Sequence, residues 1–229
     1  MQVAGLQKTS MIDYPSKISA VIFTLGCNFR CPYCHNPDLI TVNSSNSIFD
    51  EFAVFDFLKQ RQGKLDAVVV SGGEPTLQCD LEGFLGKIKK MGFLTKLDTN
   101  GSNPNFLKKI IQGNLVDYVA MDIKAPLEKY PEIVCKDIDV KNIKTSIEYL
   151  INCGVDYEFR TTVVKSQLDF EDFVEIGQLL SGANKYYLQK FVNTVTLNPC
   201  FAKEETYNDE KFEEIRQILL KNIKEVFVR

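Results

Sequence analysis

"LGCNFRCPYCHNPD", residues 25 to 38, holds three of the seven cysteines and the single histidine of a 229-residue chain. Its reading decides the fold, because each chemistry such a segment can carry belongs to a different architecture. Cys31-Pro-Tyr-Cys34 has the form of a redox dithiol, and Cys31-x-x-Cys34-His35 that of a c-type haem attachment site. Cys27, Cys31, Cys34 and His35 together offer a zinc ligand set, and the three cysteines alone suit an iron-sulfur cluster.

Composition narrows the choice. With 45% hydrophobic residues, 229 residues suffice for one well-buried domain, expected to span 1–229. The 27 basic and 30 acidic residues leave a net charge of −3. With no block of lysine or arginine, neither nucleic acid nor an anionic membrane is an expected partner. The opening "MQVAGLQKTSMIDYPSK" has no basic segment followed by an apolar core, and no run of about 18 apolar residues follows, so a cytoplasmic location is expected. Cytosolic thiols stay reduced, so the odd set of cysteines reads as metal-binding or catalytic. Haem attachment, a reaction of exported proteins, fits poorly.

Working outward from the cysteines, short β-branched and aromatic runs alternate with longer amphipathic segments. The runs predict strands at 18–25, 66–72, 93–99, 116–123, 157–164 and 185–191. Between them, Phe49, Phe52, Phe55 and Leu58 follow a capping pattern at Ser47 and Asp50. Leu81, Phe84, Leu85 and Ile88 mark the next helix, then Phe106, Leu107, Ile110 and Ile111. Ile143, Ile147, Leu150 and Ile151, then Phe170, Phe173, Val174 and Leu180, and finally Phe212, Ile215, Leu219 and Ile223 complete the series. All these stripes are expected to be core. Repeated βα units imply a parallel sheet, and runs such as "AVIF" and "AVVV" imply burial on both faces. The segment 41–47 is expected to be a loop.

The polar residues of interest all stand where a strand ends. The cysteine loop follows the first strand, Gly72, Gly73 and Glu74 the second, Asp98, Thr99 and Asn100 the third, and Asp122 and Lys124 the fourth. In parallel α/β folds that edge binds ligands. A dithiol oxidoreductase leaves Cys27 unexplained and has too few βα units. A closed Cys3His zinc site needs no strand-end site around it, though zinc tolerates these ligands. A cubane held by Cys27, Cys31 and Cys34 leaves one iron without a protein ligand, a place for a substrate or cofactor.

C-x3-C-x2-C after a first strand, with "SGGEP" closing the second, resembles the radical S-adenosylmethionine superfamily. The resemblance implies a partial (βα)6 barrel of the TIM type and a 4Fe-4S cluster. It further implies that S-adenosylmethionine chelates the unique iron, and that its reductive cleavage yields a 5′-deoxyadenosyl radical. Gly72 and Gly73 leave backbone free for close approach of the cofactor, and Glu74 offers a carboxylate to its ammonium group. Tyr33 is placed to flank the adenine. Asp98, Thr99, Asn100, Asp122 and Lys124 resemble the glycyl-radical activating branch, in which the matching aspartates help hold a monovalent cation and their neighbours contact the cofactor.

Arg160, inside the apolar run "YEFRTTVV", needs an anion, either the cofactor carboxylate or nearby Glu158. Gln189 and Lys190 are candidates to approach the adenosyl group. His35 reads as a hydrogen-bonding loop residue, and Cys79, Cys135, Cys153 and Cys200 as buried small hydrophobes.

The opening "GLQKTSMIDYPSKISAVIFTLGCNFRCPYCHNPDLI" is similar to that of the anaerobic ribonucleoside-triphosphate reductase activating proteins, with "FRTTVV" and "YYLQKF" in further agreement. Ser16 departs from the usual glycine of "DYPGK". The implied partners are a glycyl-radical enzyme as protein substrate, here an anaerobic ribonucleotide reductase, and a flavodoxin- or ferredoxin-like electron donor. Two rivals stay open: a radical enzyme acting on a small molecule, and a non-catalytic zinc or iron-sulfur protein. Little chain remains to close over a small substrate, which favours a protein one.

Overall fold

The computed structural model describes residues 1–42 and 48–229. Two compact units emerge: Met1–Asn28, Asp38–Thr99 and Asn105–Ala120 form the first, and Phe29–Pro37, Asn100–Pro104 and Met121–Arg229 the second.

The first unit carries β1 (Val3–Ser10), β2 (Ser19–Thr24), β3 (Ala67–Gly72), β4 (Leu94–Thr99) and the start of β5 (Tyr118–Asp122), in that order across the sheet. β1 runs antiparallel to β2, pairing Ser10 with Ser19 and Val3 with Thr24. β2 and β3 are parallel, with Thr24 level with Gly72, and β3 and β4 are parallel from Ala67 opposite Leu94 to Val70 opposite Leu97. Consecutive buried residues in β2 (Ala20, Val21, Ile22) and β3 (Val68, Val69, Val70) mean that both sheet faces are covered, as the unbroken apolar runs require. The helices here are α1 (Glu51–Gln60), α2 (Leu81–Lys90) and most of α3 (Pro104–Gln112).

The second unit holds the end of β5, then β6 (Asp156–Val163), β7 (Lys185–Lys190) and β8 (Glu225–Val228), with β6, β7 and β8 parallel. Its helices are α4 (Tyr130–Val134), α5 (Val140–Asn152), α6 (Phe170–Leu179) and α7 (Asp209–Leu219). Phe29, Tyr130, Phe159, Phe173, Tyr186 and Phe212 are among its largest buried side chains. Aspartate and asparagine caps start α5, α6 and α7: Asp139 accepts from Lys141 N, Asp169 and Asp172 form a capping box, and Asn208 accepts from Lys211 N.

All six expected strands form, each within two residues of its expected ends. β1 and β8 were not expected. β1 alternates weakly and has an exposed polar stretch at Gln7, Lys8 and Thr9, and β8 is only four residues long, so neither carries a clear period-two signal. The stripe on α1 differs as well. Val54 and Leu58 are its buried residues, while Phe49, ahead of the helix, and Phe52, two residues and so about half a turn from Val54, are exposed. Val174 on α6 is likewise exposed. The capping position Ser47 and residues 43–47 of the expected loop lie outside the described residues. Among the described residues no helix is long and apolar enough to cross a membrane.

Ser16 sits in the turn between β1 and β2 with φ of +59°, in the left-handed region that a glycine adopts without strain. Its side chain is exposed, so nothing offsets that strain through packing. Left-handed backbone costs a non-glycine residue about 1–2 kcal/mol, and the freer unfolded chain of a glycine variant returns about 0.4–1 kcal/mol. Ser16→Gly is therefore expected to stabilise the protein by about 0.5–1 kcal/mol, a rise of about 1–4 °C in melting temperature in a thermal denaturation scan.

Candidate functional site

In the first unit, the loop after β3 is clasped to the start of the cysteine segment by backbone hydrogen bonds. Gly73 N donates to Thr24 O at 2.9 Å and Glu74 N to Gly26 O at 2.7 Å, while Gly26 N and Cys27 N donate to Leu39 O and Ile40 O at 2.7 and 3.0 Å. A Cβ on Gly73 would lie 2.1 Å from Gly26 O, and one on Gly72, where φ is +124°, would lie 2.2 Å from Thr24 N. The neighbours that exclude side chains here are thus the chain's own backbone atoms, whereas the sequence reading assigned that demand to a ligand. Pro75 opens a short 3-10 turn, Pro75–Leu77, and so sets the exit from the strand.

Glu74 is the hub of this loop. It is buried, and its Oε1 accepts from Thr76 N at 3.1 Å, Thr76 Oγ1 at 2.6 Å and Thr99 Oγ1 at 2.7 Å. Thr99 is therefore tied to Glu74 across the ends of β3 and β4. Asp98, one residue earlier, accepts from Lys96 Nζ at 2.8 Å. Lys96 escaped the sequence reading, yet a charge inside the apolar strand "FLTKLDT" is the same signal that singled out Arg160.

In the second unit, Cys31 and Tyr33 are buried and Cys34 is half-buried. Cys34 N donates to Cys31 O at 3.0 Å, while Cys34 O and Pro32 O accept from Leu197 N and Asn198 N. His35 stacks on Phe191 with ring centroids 5.4 Å apart, and its Nδ1 lies 3.2 Å from Val195 O, the loop role expected of it. Burial pushes the Cys31 thiol up to about 11, against the attraction of nearby Lys124.

Asp122 sits between two cations. Its Oδ1 accepts from Arg160 Nε at 2.9 Å and its Oδ2 from Lys124 Nζ at 3.0 Å. Burial works to raise this carboxyl, but Arg160 and Lys124 outweigh it and hold it well below the usual carboxylate range. For Lys124, burial works to lower the ammonium, yet Asp122 keeps it well above the ordinary lysine value. Arg160 thus meets Asp122, and Glu158, also named as a candidate partner, accepts from Arg229 at 3.1 Å. Asn100 Oδ1 accepts from Ser102 N at 2.9 Å, shaping the turn after β4. Gln189 is half-buried near the end of β7, level with Thr162 of β6. Lys190 turns to Asp209 and lies over the Phe212 ring, so its ammonium is engaged on α7.

The remaining cysteines need correction. Cys79, Cys135 and Cys200 are exposed and Cys153 half-buried, because each stands at a helix end or in a short turn, where the chain faces solvent.

Several features bear on whether these residues suit a cluster with an organic ligand. None of Cys27, Cys31 and Cys34 forms a disulfide. A cubane takes one thiolate per iron, and three cysteines are present for three irons, although among the described residues no three His, Cys, Asp or Glu side chains are grouped to hold a metal ion. The Tyr33 hydroxyl is buried without a hydrogen-bond partner, and Lys124 Nζ lies 5.9 Å from the Tyr33 ring centroid. A buried hydroxyl left in this way is suited to an acceptor from outside the chain. The donor set fits the group.

Comparison with known proteins agrees. A family model described as the radical SAM superfamily matches residues 21–180. A Methanocaldococcus jannaschii protein, provisionally named a glycyl-radical enzyme activating enzyme, is 37% identical over 99% of this chain and 95% of its own length. The pyruvate formate-lyase-activating enzyme of Streptococcus mutans is 33% identical over 77% of this chain and 70% of its own. A solved domain of a pyruvate formate-lyase-activating enzyme from Bacteroides vulgatus superposes with a TM-score of 0.56 at 16% identity, covering 70% of this chain and 98% of that one. That likeness supports the α/β fold class, and the two relatives carry the assignment further. The chain belongs to the radical SAM superfamily and, within it, to the glycyl-radical enzyme activating enzymes.

Proposed function

We propose that this enzyme generates the glycyl radical of an anaerobic ribonucleoside-triphosphate reductase, receiving its electron from a flavodoxin- or ferredoxin-like donor. Membership of the superfamily brings a 4Fe-4S cluster and S-adenosylmethionine as cofactors. Bound together and reduced, they supply a 5′-deoxyadenosyl radical able to take the α-hydrogen of a glycine. The observation that carries the reading is the triplet Cys27, Cys31 and Cys34 directly after β2, none of them disulfide-bonded, in a chain aligned over nearly its whole length with a relative named for glycyl-radical activation. The reductase as partner rests on the extended similarity of the opening residues 5–40.

In this reading the three cysteines hold the cluster. Tyr33 flanks the adenine, and Glu74 orders the loop through Oε1 while its charge meets the cofactor ammonium. Gly72 and Gly73 keep that loop close to the cysteine segment. Thr99, Asn100, Asp122, Lys124, Arg160 and Gln189 complete the cofactor surroundings. The positive charge held at Lys124 suits the cofactor carboxylate.

Protein purified without oxygen is expected to carry a single 4Fe-4S cluster, and alanine at Cys27, Cys31 or Cys34 to abolish it. Iron and sulfide analysis checks this, and tightly held zinc in place of iron overturns it. Glu74→Gln keeps an oxygen for Thr76 and Thr99 while removing the charge. It should retain fold and cluster but bind S-adenosylmethionine roughly 10- to 100-fold more weakly by titration, the worth of about 1.5–3 kcal/mol for one charge-assisted hydrogen bond.

The partner is tested by mixing reduced enzyme and S-adenosylmethionine with either anaerobic ribonucleotide reductase or pyruvate formate-lyase. A glycyl-radical signal in electron paramagnetic resonance, with one deoxyadenosine per radical, is expected on the reductase. A signal on the lyase alone reassigns the partner. Deoxyadenosine formed with no protein radical, while a metabolite of cell extract is consumed, establishes the small-molecule alternative.

A further inference from the structure

Resting on the cofactor assignment above, we propose that Lys96 supplies from within the fold the positive charge that a bound monovalent cation would bring to Asp98, so that this enzyme holds S-adenosylmethionine without such an ion. The sequence comparison with the glycyl-radical activating branch led to the opposite expectation, namely that Asp98 and Asp122 help ligate a cation. The side chains around each carboxylate argue against it.

Lys96 lies in the middle of β4 and is 2% exposed, and Asp98 is 8% exposed. Two residues apart on one strand, they point to the same face, and Lys96 Nζ reaches Asp98 Oδ1 at 2.8 Å. The ammonium also lies 5.9 Å from the centroid of the Tyr118 ring, whose face attracts a cation. A buried ammonium is tolerated only beside an anion, and a buried carboxylate only beside a cation, so the two act as one neutral unit.

A sodium or potassium ion bound to that carboxylate would stand within a few ångströms of the ammonium, in surroundings too dry to screen the repulsion. The pair is also close to the proposed cofactor loop, since Thr99, the next residue, donates to Glu74 at 2.7 Å. In the second unit Asp122 is compensated in the same manner, by Lys124 on one oxygen and Arg160 on the other. Each aspartate nominated as an ion ligand already carries a side-chain cation. Replacing a diffusible ion with a tethered one also removes the entropy cost of capturing it.

The test compares potassium chloride, sodium chloride and choline chloride at equal ionic strength, choline being too large to enter a carboxylate site. Titration of the cluster-loaded enzyme with S-adenosylmethionine is expected to give dissociation constants within about twofold of one another. Melting curves of the protein without S-adenosylmethionine should superimpose in the three salts. Lys96→Met, which removes this ammonium from Asp98, is expected to gain both a potassium-dependent rise in melting temperature and S-adenosylmethionine binding at least about tenfold tighter in potassium than in choline. Lys96→Arg should remain indifferent to the salt.

Wild-type enzyme that loses tenfold or more in affinity on passing from potassium to choline overturns the proposal, as does a wild-type melting temperature raised selectively by either metal ion. A Lys96→Met variant that folds and binds in choline as well as wild type also overturns it. Failure of wild type to bind S-adenosylmethionine in any salt refutes the cofactor assignment instead. The melting curves still decide the role of Lys96 in that case, and the wild-type arms decide it if the Met variant does not fold.

Discussion

The contact on which the loop after β3 depends is the approach of one backbone to another at Gly73. A Cβ there would fall 2.1 Å from Gly26 O and 2.9 Å from Leu39 O, so only glycine lets the end of β3 lie against the residues that lead into Cys27. The hydrogen bonds from Gly73 N and Glu74 N are made possible by that approach. They place the Glu74 carboxylate where Thr76 and Thr99 reach it, which in turn holds the ends of β3 and β4 together. A glycine pair, a buried carboxylate and two threonine hydroxyls therefore act as one structural device.

Buried charge is the second organising constraint. Lys96 with Asp98, Asp122 with Lys124 and Arg160, and Glu158 with Arg229 each bring an ion into a setting where it is costly alone. Such pairs contribute little net stability compared with well-packed apolar residues, because desolvation offsets most of the attraction. Lys96 with Asp98 stands towards the carboxyl end of β4, and Asp122 with its two cations at that of β5, the strand end at which parallel α/β folds bind ligands.

The cysteine segment shows the same logic in thiol form. Burial makes the Cys31 thiolate unfavourable, and Lys124 offsets that only in part. Metal ligation deprotonates a thiol by supplying the missing charge, so a buried cysteine that resists ionisation alone is compatible with a ligand role. Tyr33, buried with its hydroxyl unpartnered, gives a second reason to regard this segment as shaped for something beyond the chain itself.

Local sequence determined the repeating βα organisation, the six inner strands, the placement of the cysteine triplet after β2 and the turn at Pro75. Each of these depends on residues within a few positions of one another, through periodicity, φ restriction or fixed spacing. The departure at Ser16 from a usual glycine was visible in the sequence, and the structure supplies its meaning, a φ of +59°. Tertiary structure decided which charge meets which. Arg160 is separated from Asp122 by 38 residues and Glu158 from Arg229 by 71, and no local pattern specifies such pairings. It also decided that Phe52 faces solvent while Val54 is core, that β1 and β8 join the strands, and that the glycines after β3 yield to backbone. Those outcomes depend on which surfaces are covered and how closely they approach, and such quantities exist only once the chain has folded.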